Sequence, residues 1–288
     1  MSGRVGILFM RLMAFLPLSW VRALGWLLGR ALFALLGNRR HIAQANLALC
    51  FPDMDAAERR RLARQSFVVF AQTWLDRGWL WHAPRRVLER RLVLQGAVHE
   101  LQGDAPTILF CPHFYGLDAA ATTISMQVQR RWFSIYSSQS DPAVDEWVRK
   151  GRLRFGDSQV FTRTTGTKTI VNAMRGGGVL YLLPDMDFGA QDSLFVPFYG
   201  VPAATLPSVP RFARLGRAKV VPVLPRLTPA GYTVDILPAW TGFPSEDVRA
   251  DTALVNRRLE GYIDSMPAQY YWVHKRFKTR PEGAPSVY

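Results

Sequence analysis

Apolar and polar positions alternate between residues 91 and 265 with two different periods. Short apolar runs predict strands, and stretches with an apolar residue every three or four positions predict helices. The predicted strands cover 91–94, 107–111, 132–136, 158–162, 179–183, 219–224 and 232–237. The predicted helices cover 117–129, 141–155, 167–175, 208–215 and 249–265. This order predicts an α/β fold with a central, mostly parallel sheet flanked by helices and a functional site at the carboxyl ends of strands.

The N-terminal part of the chain has a different pattern, rich in Leu, Phe, Trp, Met and Ala. Arg11, Arg22 and Arg30 interrupt this apolar sequence, and Pro17 breaks it. The longest uncharged run, residues 12–21, is shorter than the ~20 apolar residues that cross a bilayer core. A basic apolar segment with tryptophans is typical of helices that lie at the headgroup level of an anionic membrane. An alternative is that these helices simply cover the main domain.

We therefore predict an N-terminal membrane-associated helical segment over residues 1–40 and an α/β domain over residues 41–288. Inside the domain, one or two further helices are predicted from Asp55 to His82, with Asp53 or Asp55 as the N-cap residue.

Charge and composition narrow the kinds of partner. The chain has 288 residues, with 36 Lys and Arg against 22 Asp and Glu, and a net charge of +14. Such a balance favours an acidic partner, whether nucleic acid, an anionic membrane, an acidic protein or a phosphorylated substrate. Cys50 and Cys111 stand in apolar surroundings and predict buried thiols, not a disulfide framework. The sequence has no metal-binding cluster, no nucleotide-binding glycine motif and no G-x-S-x-G motif, so neither a metal nor a cofactor is expected.

The candidate chemistry lies where the strand at 107–111 ends. His113 follows this strand, and Asp118 stands five positions later in the first turn of the next predicted helix. A carboxylate that accepts from one ring nitrogen would leave the other nitrogen as a base, with a substrate hydroxyl as the nucleophile. His99 and Asp104 have the same spacing, but no apolar strand precedes them. Context therefore favours His113, although it could also be a strand-end histidine bonded only to the backbone.

Other charged residues also follow predicted strands. Arg163 comes directly after one strand and before a helix start, where it could bind an anion. Asp185 and Asp187 follow another strand, and they could act in acid–base chemistry, bind substrate hydroxyls or be solvated loop residues. Arg149 and Arg152 are predicted to lie on a solvated helix face.

Several blocks of sequence, taken together, resemble a known family. Residues 108–118 resemble the H-x4-D/E motif of the lysophospholipid acyltransferase superfamily. Residues 182–189 and 195–200 are similar to the D-Q-D-x-G…F-x-P-F-F-G stretch of the bacterial late lipid A acyltransferases, with Met186 in place of the usual glutamine. Further similar blocks, in the same order, are Asn46-Leu47 ahead of Phe51-Pro52, residues 218–222 and residues 269–281.

The resemblance implies transfer of an acyl chain from acyl carrier protein, or another thioester, to a hydroxyl of a lipid A precursor at the cytoplasmic face of the bacterial inner membrane. The chemistry of the residues agrees: His113 would be the base, Asp118 would orient it, and Arg163 or backbone donors would hold the developing oxyanion or the phosphopantetheine of the donor. Asp185 and Asp187 are then substrate-binding candidates. No metal, cofactor or nucleic acid is expected to take part.

Two alternatives stay open. The same chemistry could act on a lysophospholipid, an ornithine lipid or another glycolipid. A protein of a different class, a non-catalytic basic protein that binds membranes or nucleic acid, would also fit the charge.

Overall fold

The computed structural model describes residues 2–162 and 164–288. Its α-helices are α1 Ser2–Met13, α2 Leu18–Leu35, α3 Gly37–Cys50, α4 Ala56–His82, α5 Arg85–Arg91, α6 Leu117–Gln127, α7 Pro142–Arg152, α8 Thr167–Arg175, α9 Ser208–Gly216 and α10 Val248–Asp264. Its strands are β1 Leu92–Gly96, β2 Thr107–Phe110, β3 Arg131–Tyr136, β4 Asp157–Thr162, β5 Val179–Leu182, β6 Leu194–Phe198, β7 Val201–Thr205, β8 Lys219–Thr228 and β9 Gly231–Ile236.

The main sheet confirms the predicted α/β fold. Its strand order is β1-β9-β8-β2-β5-β3-β4, and every pair except β8–β9 is parallel. Strands β2 and β5 lie at the centre, and every residue in them is buried. Burial on both faces explains why these strands are continuous apolar runs and do not alternate.

A separate antiparallel pair, β6 and β7, was not predicted from the sequence. Pro197 and Pro202 stand opposite each other in this pair, and proline is unusual inside a strand. A two-stranded ribbon has no central strand, so a proline there removes no hydrogen bond from an inner position.

The predicted helical region after Asp55 is a single long helix, α4. Asp55 is its N-cap, and the Asp55 side chain accepts a hydrogen bond from the Glu58 backbone N–H at 2.8 Å. Helices α1 and α2 pack against α4 and do not stand apart from it.

The approach of α2 to α4 is close because two glycines stand at the contact. A Cβ atom added at Gly29 would lie 2.4 Å from the Val68 Cα, and one at Gly25 would lie 2.6 Å from the Gln72 Cγ. Beside them, Arg22 of α2 forms an ion pair with the buried Asp76 of α4 at 2.6 Å. Helix α2 is therefore joined to the body of the protein by backbone packing and by a partly buried charge pair.

Helix α2 bears on the predicted membrane association. It is the one helix of the described chain that is long and apolar enough, by length and composition, to cross a membrane, even with Arg22 and Arg30 in it.

Candidate active site

The register of the central strands brings His113 and Asp185 together. Phe110, the last residue of β2, is paired with Leu182, the last residue of β5. His113 and Asp185 each stand three residues beyond these partners. Because the two strands are parallel, both side chains emerge at the same edge of the sheet.

His113 contacts Asp185 through both its backbone and its ring. The His113 Nδ1 atom lies 2.7 Å from the Asp185 Oδ1 atom, and the His113 backbone N–H donates to the same carboxylate at 3.0 Å. The Tyr270 hydroxyl donates to the Asp185 Oδ2 atom at 2.9 Å. Burial by itself raises the pKa of Asp185, but the His113 ring and these hydrogen bonds outweigh it and hold the pKa below its ordinary value.

This geometry determines which nitrogen of His113 can act as a base. An ionised carboxylate only accepts hydrogen bonds, so Nδ1 carries the proton and donates it to Asp185. The Nε2 atom is then unprotonated in the neutral ring. The Asp185 side chain is 1% exposed and the His113 side chain is 22% exposed, so the ring is open to a ligand while its partner is not.

The C-terminal segment completes this site. Phe114 and Tyr270 form a β-bridge, and the Tyr115 N–H donates to the Gln269 carbonyl at 2.9 Å. The Asn46 side chain of α3 donates to the Trp272 and His274 carbonyls at 2.7 Å each. Sequence blocks that lie far apart along the chain therefore meet around His113.

The structure places Asp118 differently from the sequence prediction. Its Oδ2 atom accepts from the Arg77 Nε atom at 2.8 Å, and its Oδ1 atom accepts from the Arg152 Nε atom at 3.0 Å. The predicted contact between Asp118 and the His113 ring is therefore wrong in this structure, where Asp185 is the partner of the ring. Asp118 lies in the first turn of α6, on the side where α4 and α7 approach. Burial raises the pKa of Asp118, but the Arg152 and Arg77 guanidiniums outweigh it and lower this pKa.

Arg152 corrects a second expectation, because it does not lie on a solvated helix face. It is the last residue of α7, and it faces the buried Asp118. Arg149 does lie on the surface, paired with Glu146 of the same helix at 2.8 Å. Arg163, the predicted anion-binding residue, lies outside the described residues, so its role stays a prediction.

Asp185 and Asp187 do not face a ligand as the sequence led us to expect. Both residues are buried, and their oxygens are occupied by protein donors. The Asp187 carboxylate accepts from the backbone N–H of Gly189 at 2.9 Å and from the Thr279 hydroxyl at 2.8 Å. Asp187 thus fixes the C-terminal segment to the loop after β5, while Asp185 positions His113.

The exposed face of His113 lines a cleft of about 770 Å³. Most of its lining is apolar or aromatic and comes from α4, the His113 loop, the ends of β3 and β5, α9 and the C-terminal segment. A smaller apolar cavity of about 50 Å³ lies next to it, and the two share Leu117, Ile135, Arg152, Tyr181 and Leu183. The cleft is therefore suited to a large ligand with a long apolar part.

The second histidine–aspartate pair of the sequence has no such setting. His99 lies in a short 3-10 turn and Asp104 in the following loop, and both residues are exposed. Cys50 and Cys111 are buried and unpaired, as predicted. Over residues 2–162 and 164–288, no group of three or more His, Cys, Asp or Glu could hold a metal ion.

Sequence reasoning missed three residues of the site. Arg77 gave no signal within the long helix α4. Tyr270 and Asn46 belong to blocks that were noticed only for their resemblance, and their hydrogen bonds to this site depend on contacts more than 80 residues apart in the chain.

A mostly parallel sheet with a histidine–carboxylate pair at its edge, open to an apolar cleft, has the geometry that general-base catalysis on an apolar substrate requires. Comparison with known proteins gives the family. Residues 3–279 match the family described as bacterial lipid A biosynthesis acyltransferase. The chain belongs to this family and is an acyltransferase.

Named relatives agree with this assignment. The chain is 33% identical to a lipid A biosynthesis lauroyltransferase of Escherichia coli, over 99% of this chain and 93% of the relative. It is 28% identical to a lipid A biosynthesis palmitoleoyltransferase of the same organism, over 95% of this chain and 90% of the relative. A lipid A biosynthesis myristoyltransferase of E. coli is 29% identical over 91% of this chain and 82% of the relative.

Proposed function

We propose that this protein transfers a fatty acyl chain from an acyl carrier protein thioester to a hydroxyl of a lipid A precursor. The observation that carries this proposal is the His113–Asp185 pair, which opens onto an apolar cleft in a chain of this family. The names of the relatives indicate lauroyl, palmitoleoyl and myristoyl groups, so a fatty acyl chain is the transferred group that they favour.

In the proposed mechanism the His113 Nε2 atom removes the proton of the acceptor hydroxyl. The resulting alkoxide attacks the thioester carbonyl, and the carbon–sulfur bond breaks when the tetrahedral intermediate collapses. The His113 imidazolium then gives its proton to the leaving thiolate. The buried Asp185 carboxylate stabilises the imidazolium while the negative charge is on the oxyanion. We assign Arg163, as predicted from the sequence, to the oxyanion or to the phosphate of the donor.

The two adjacent cavities suit the two apolar parts of this reaction. The cleft of about 770 Å³ beside His113 is suited to an apolar part of the lipid acceptor. The smaller apolar cavity, bounded by Ile124, Trp132 and Val160, is suited to the end of the transferred chain. Burying each CH₂ group there contributes about 0.8 kcal/mol.

We propose that the protein binds the membrane through α1, α2 and the turn between them. The α2 face opposite α4 is apolar and exposed: Trp20 is 67% exposed and Leu35 is 79% exposed, and Phe15 in the preceding turn is 84% exposed. Arginines interspersed along the same helices are suited to anionic headgroups, at about 1 kcal/mol each near such a surface. Because Arg22 is paired with Asp76 and the α2 glycines contact α4, we infer that α2 lies along the membrane surface and does not cross the bilayer.

Vesicle sedimentation tests this attachment. The full chain is expected to sediment with vesicles that contain anionic lipid, and less with neutral vesicles or at high salt. Phe15→Asp and Trp20→Asp should weaken binding without lowering the melting temperature, because both side chains are exposed. Equal sedimentation of these variants and the native chain would contradict the proposed surface.

The net charge of +14 suits the proposed donor and location. Acyl carrier protein is acidic, and the inner leaflet of a bacterial membrane carries anionic lipid, so both partners are attracted to a basic protein. The location at the cytoplasmic face of the inner membrane follows from this choice of donor.

The test of the function is acyl transfer by the purified chain. With acyl carrier protein thioester and lipid A precursor, mass spectrometry should show one added acyl chain on the acceptor. His113→Ala should lose about 10²–10⁴-fold in kcat, the usual contribution of a positioned base. His99→Ala, at the exposed histidine of the same sequence pattern, should retain normal turnover. Acylation of a lysophospholipid or an ornithine lipid in preference to lipid A precursor would contradict the proposed acceptor.

A further inference from the structure

The ion pairs around Asp118 leave an excess of positive charge. One carboxylate bonds two guanidinium groups, Arg77 and Arg152, each through its Nε atom. Among the described residues, no hydrogen bond is made by the terminal nitrogens of either arginine. Each arginine therefore keeps its outer pair of nitrogens for another acceptor, and the cluster carries a net charge of +1.

Aromatic rings hold the two guanidinium groups in place. The Arg77 guanidinium lies 5.6 Å from the Trp81 ring centroid, and that of Arg152 lies 5.3 Å from the Tyr136 ring centroid. With Nε fixed by Asp118 and one face covered by a ring, each guanidinium has little freedom to rotate. Its planar fork is preorganised for a bidentate ligand such as phosphate.

The surroundings favour an anion at this position. Both arginines line the same cleft as His113, and their side chains are 27% and 24% exposed. Across the described residues, the lining of that cleft contains these two arginines and no carboxylate. Asp118 lies behind them, and its lowered pKa keeps it ionised as their anchor.

We propose that Arg77 and Arg152, both bonded to Asp118, form a binding site for a phosphate group of a substrate in the His113 cleft. This inference rests on the proposed function, because it names which charged group of a substrate the cleft recognises. Two substrates could supply the phosphate: the lipid acceptor, or the phosphopantetheine arm of the donor. Asp118 is then a positioning residue, which acts through the two arginines and not through His113.

The test measures binding without turnover, in full-length protein that carries His113→Ala. Its affinity is measured for two pairs of ligands: lipid A precursor with and without its phosphates, and 4′-phosphopantetheine with and without its phosphate. This His113→Ala protein is the parent of the other variants. It is expected to bind the phosphorylated form of one pair about 10–100-fold more tightly, the usual effect of charge-assisted hydrogen bonds. Arg77→Gln and Arg152→Gln should each remove most of that preference.

Control variants separate this effect from general charge and from misfolding. Arg131 is also paired with an aspartate, Asp157, but both side chains are exposed and neither lines the cleft, so Arg131→Gln should keep the parent preference. If a glutamine variant does not fold, Arg152→Lys serves instead. It keeps the charge beside Asp118 but loses the bidentate fork, so an intermediate preference is expected.

The outcomes identify which substrate supplies the phosphate. They also separate failure of this inference from failure of the proposed function. Loss of preference within the lipid pair assigns the site to the acceptor, and loss within the pantetheine pair assigns it to the donor. A parent without preference in either pair, or arginine variants that keep the parent preference, would overturn the inference. Failure of the native chain to transfer an acyl group would instead refute the proposed function, since the binding measurement does not depend on turnover.

Discussion

Replacing each of the two buried carboxylates with an amide, one at a time, should show which of them orients His113 and which acts in substrate binding. Asp185→Asn and Asp118→Asn preserve shape and remove one charge each. In the structure the Asp185 carboxylate contacts the His113 ring, whereas the hydrogen bonds of the Asp118 carboxylate, among the described residues, come from Arg77 and Arg152. Asp185→Asn should therefore reduce kcat, whereas Asp118→Asn should mainly raise KM.

The magnitude for Asp185→Asn depends on how the new amide is oriented. If its oxygen faces the His113 Nδ1 atom, the correct tautomer is kept and only the charge beside the imidazolium is lost, which costs about 1.5–3 kcal/mol or roughly 10–100-fold. If its NH₂ group faces Nδ1, the proton moves to Nε2, and the base is disabled by up to ~10⁴-fold. The second orientation keeps the oxygen for the His113 backbone N–H and the Tyr270 hydroxyl. We therefore expect a loss of about 10²–10⁴-fold.

The assay is kcat at saturating donor and acceptor, with the melting temperature measured in parallel to confirm folding. For Asp118→Asn we expect kcat within about tenfold of the native value and a KM raised by about 10–100-fold, from weaker placement of the arginines. The reasoning would be refuted if Asp185→Asn kept kcat within threefold of native, or if Asp118→Asn alone matched the loss of His113→Ala. The second result would restore Asp118 as the partner of the base.

Three further predictions concern packing, acid stability and the residue outside the described structure. Gly29→Val should lower the free energy of unfolding by about 1–3 kcal/mol, because α2 must move away from α4 to make room for the side chain. The control Gly261→Ala has open space around it and should not lower the melting temperature. Burial lowers the pKa of His274 to about 4, and its Nε2 atom accepts from the Asp187 N–H. Stability should therefore be complete above pH ~6.5 and fall by up to about 3 kcal/mol as the pH drops towards 4, a slope that His274→Gln should flatten in thermal unfolding. Arg163→Ala should lose about 10²–10³-fold in kcat/KM, and Arg163→Lys should lose less. A native kcat for the alanine variant at saturating donor would contradict a role for Arg163 in the reaction.

Much of the fold could be predicted from the sequence because its elements differ in local pattern. The central strands are buried on both faces, so they are continuous apolar runs, and the helices between them have clear starts such as Asp141 and Asp247, whose side chains cap α7 and α10. The β6–β7 hairpin escaped prediction because its prolines oppose a local strand pattern. Context alone also chose His113 over His99, since only His113 follows a buried strand.

The partners of the site residues were decided by tertiary structure. The spacing between His113 and Asp118 suggested a pair, but a helix start turns the Asp118 side chain towards α4 and α7, where Arg77 and Arg152 are. Asp185 reaches His113 because β5 is the parallel neighbour of β2 in matching register. Which strand lies beside which is not encoded in local periodicity, because it depends on crossover connections and on packing across the whole sheet. The sequence by itself thus singled out His113 as the candidate base, and only the neighbouring strand supplied Asp185 as the partner of its ring.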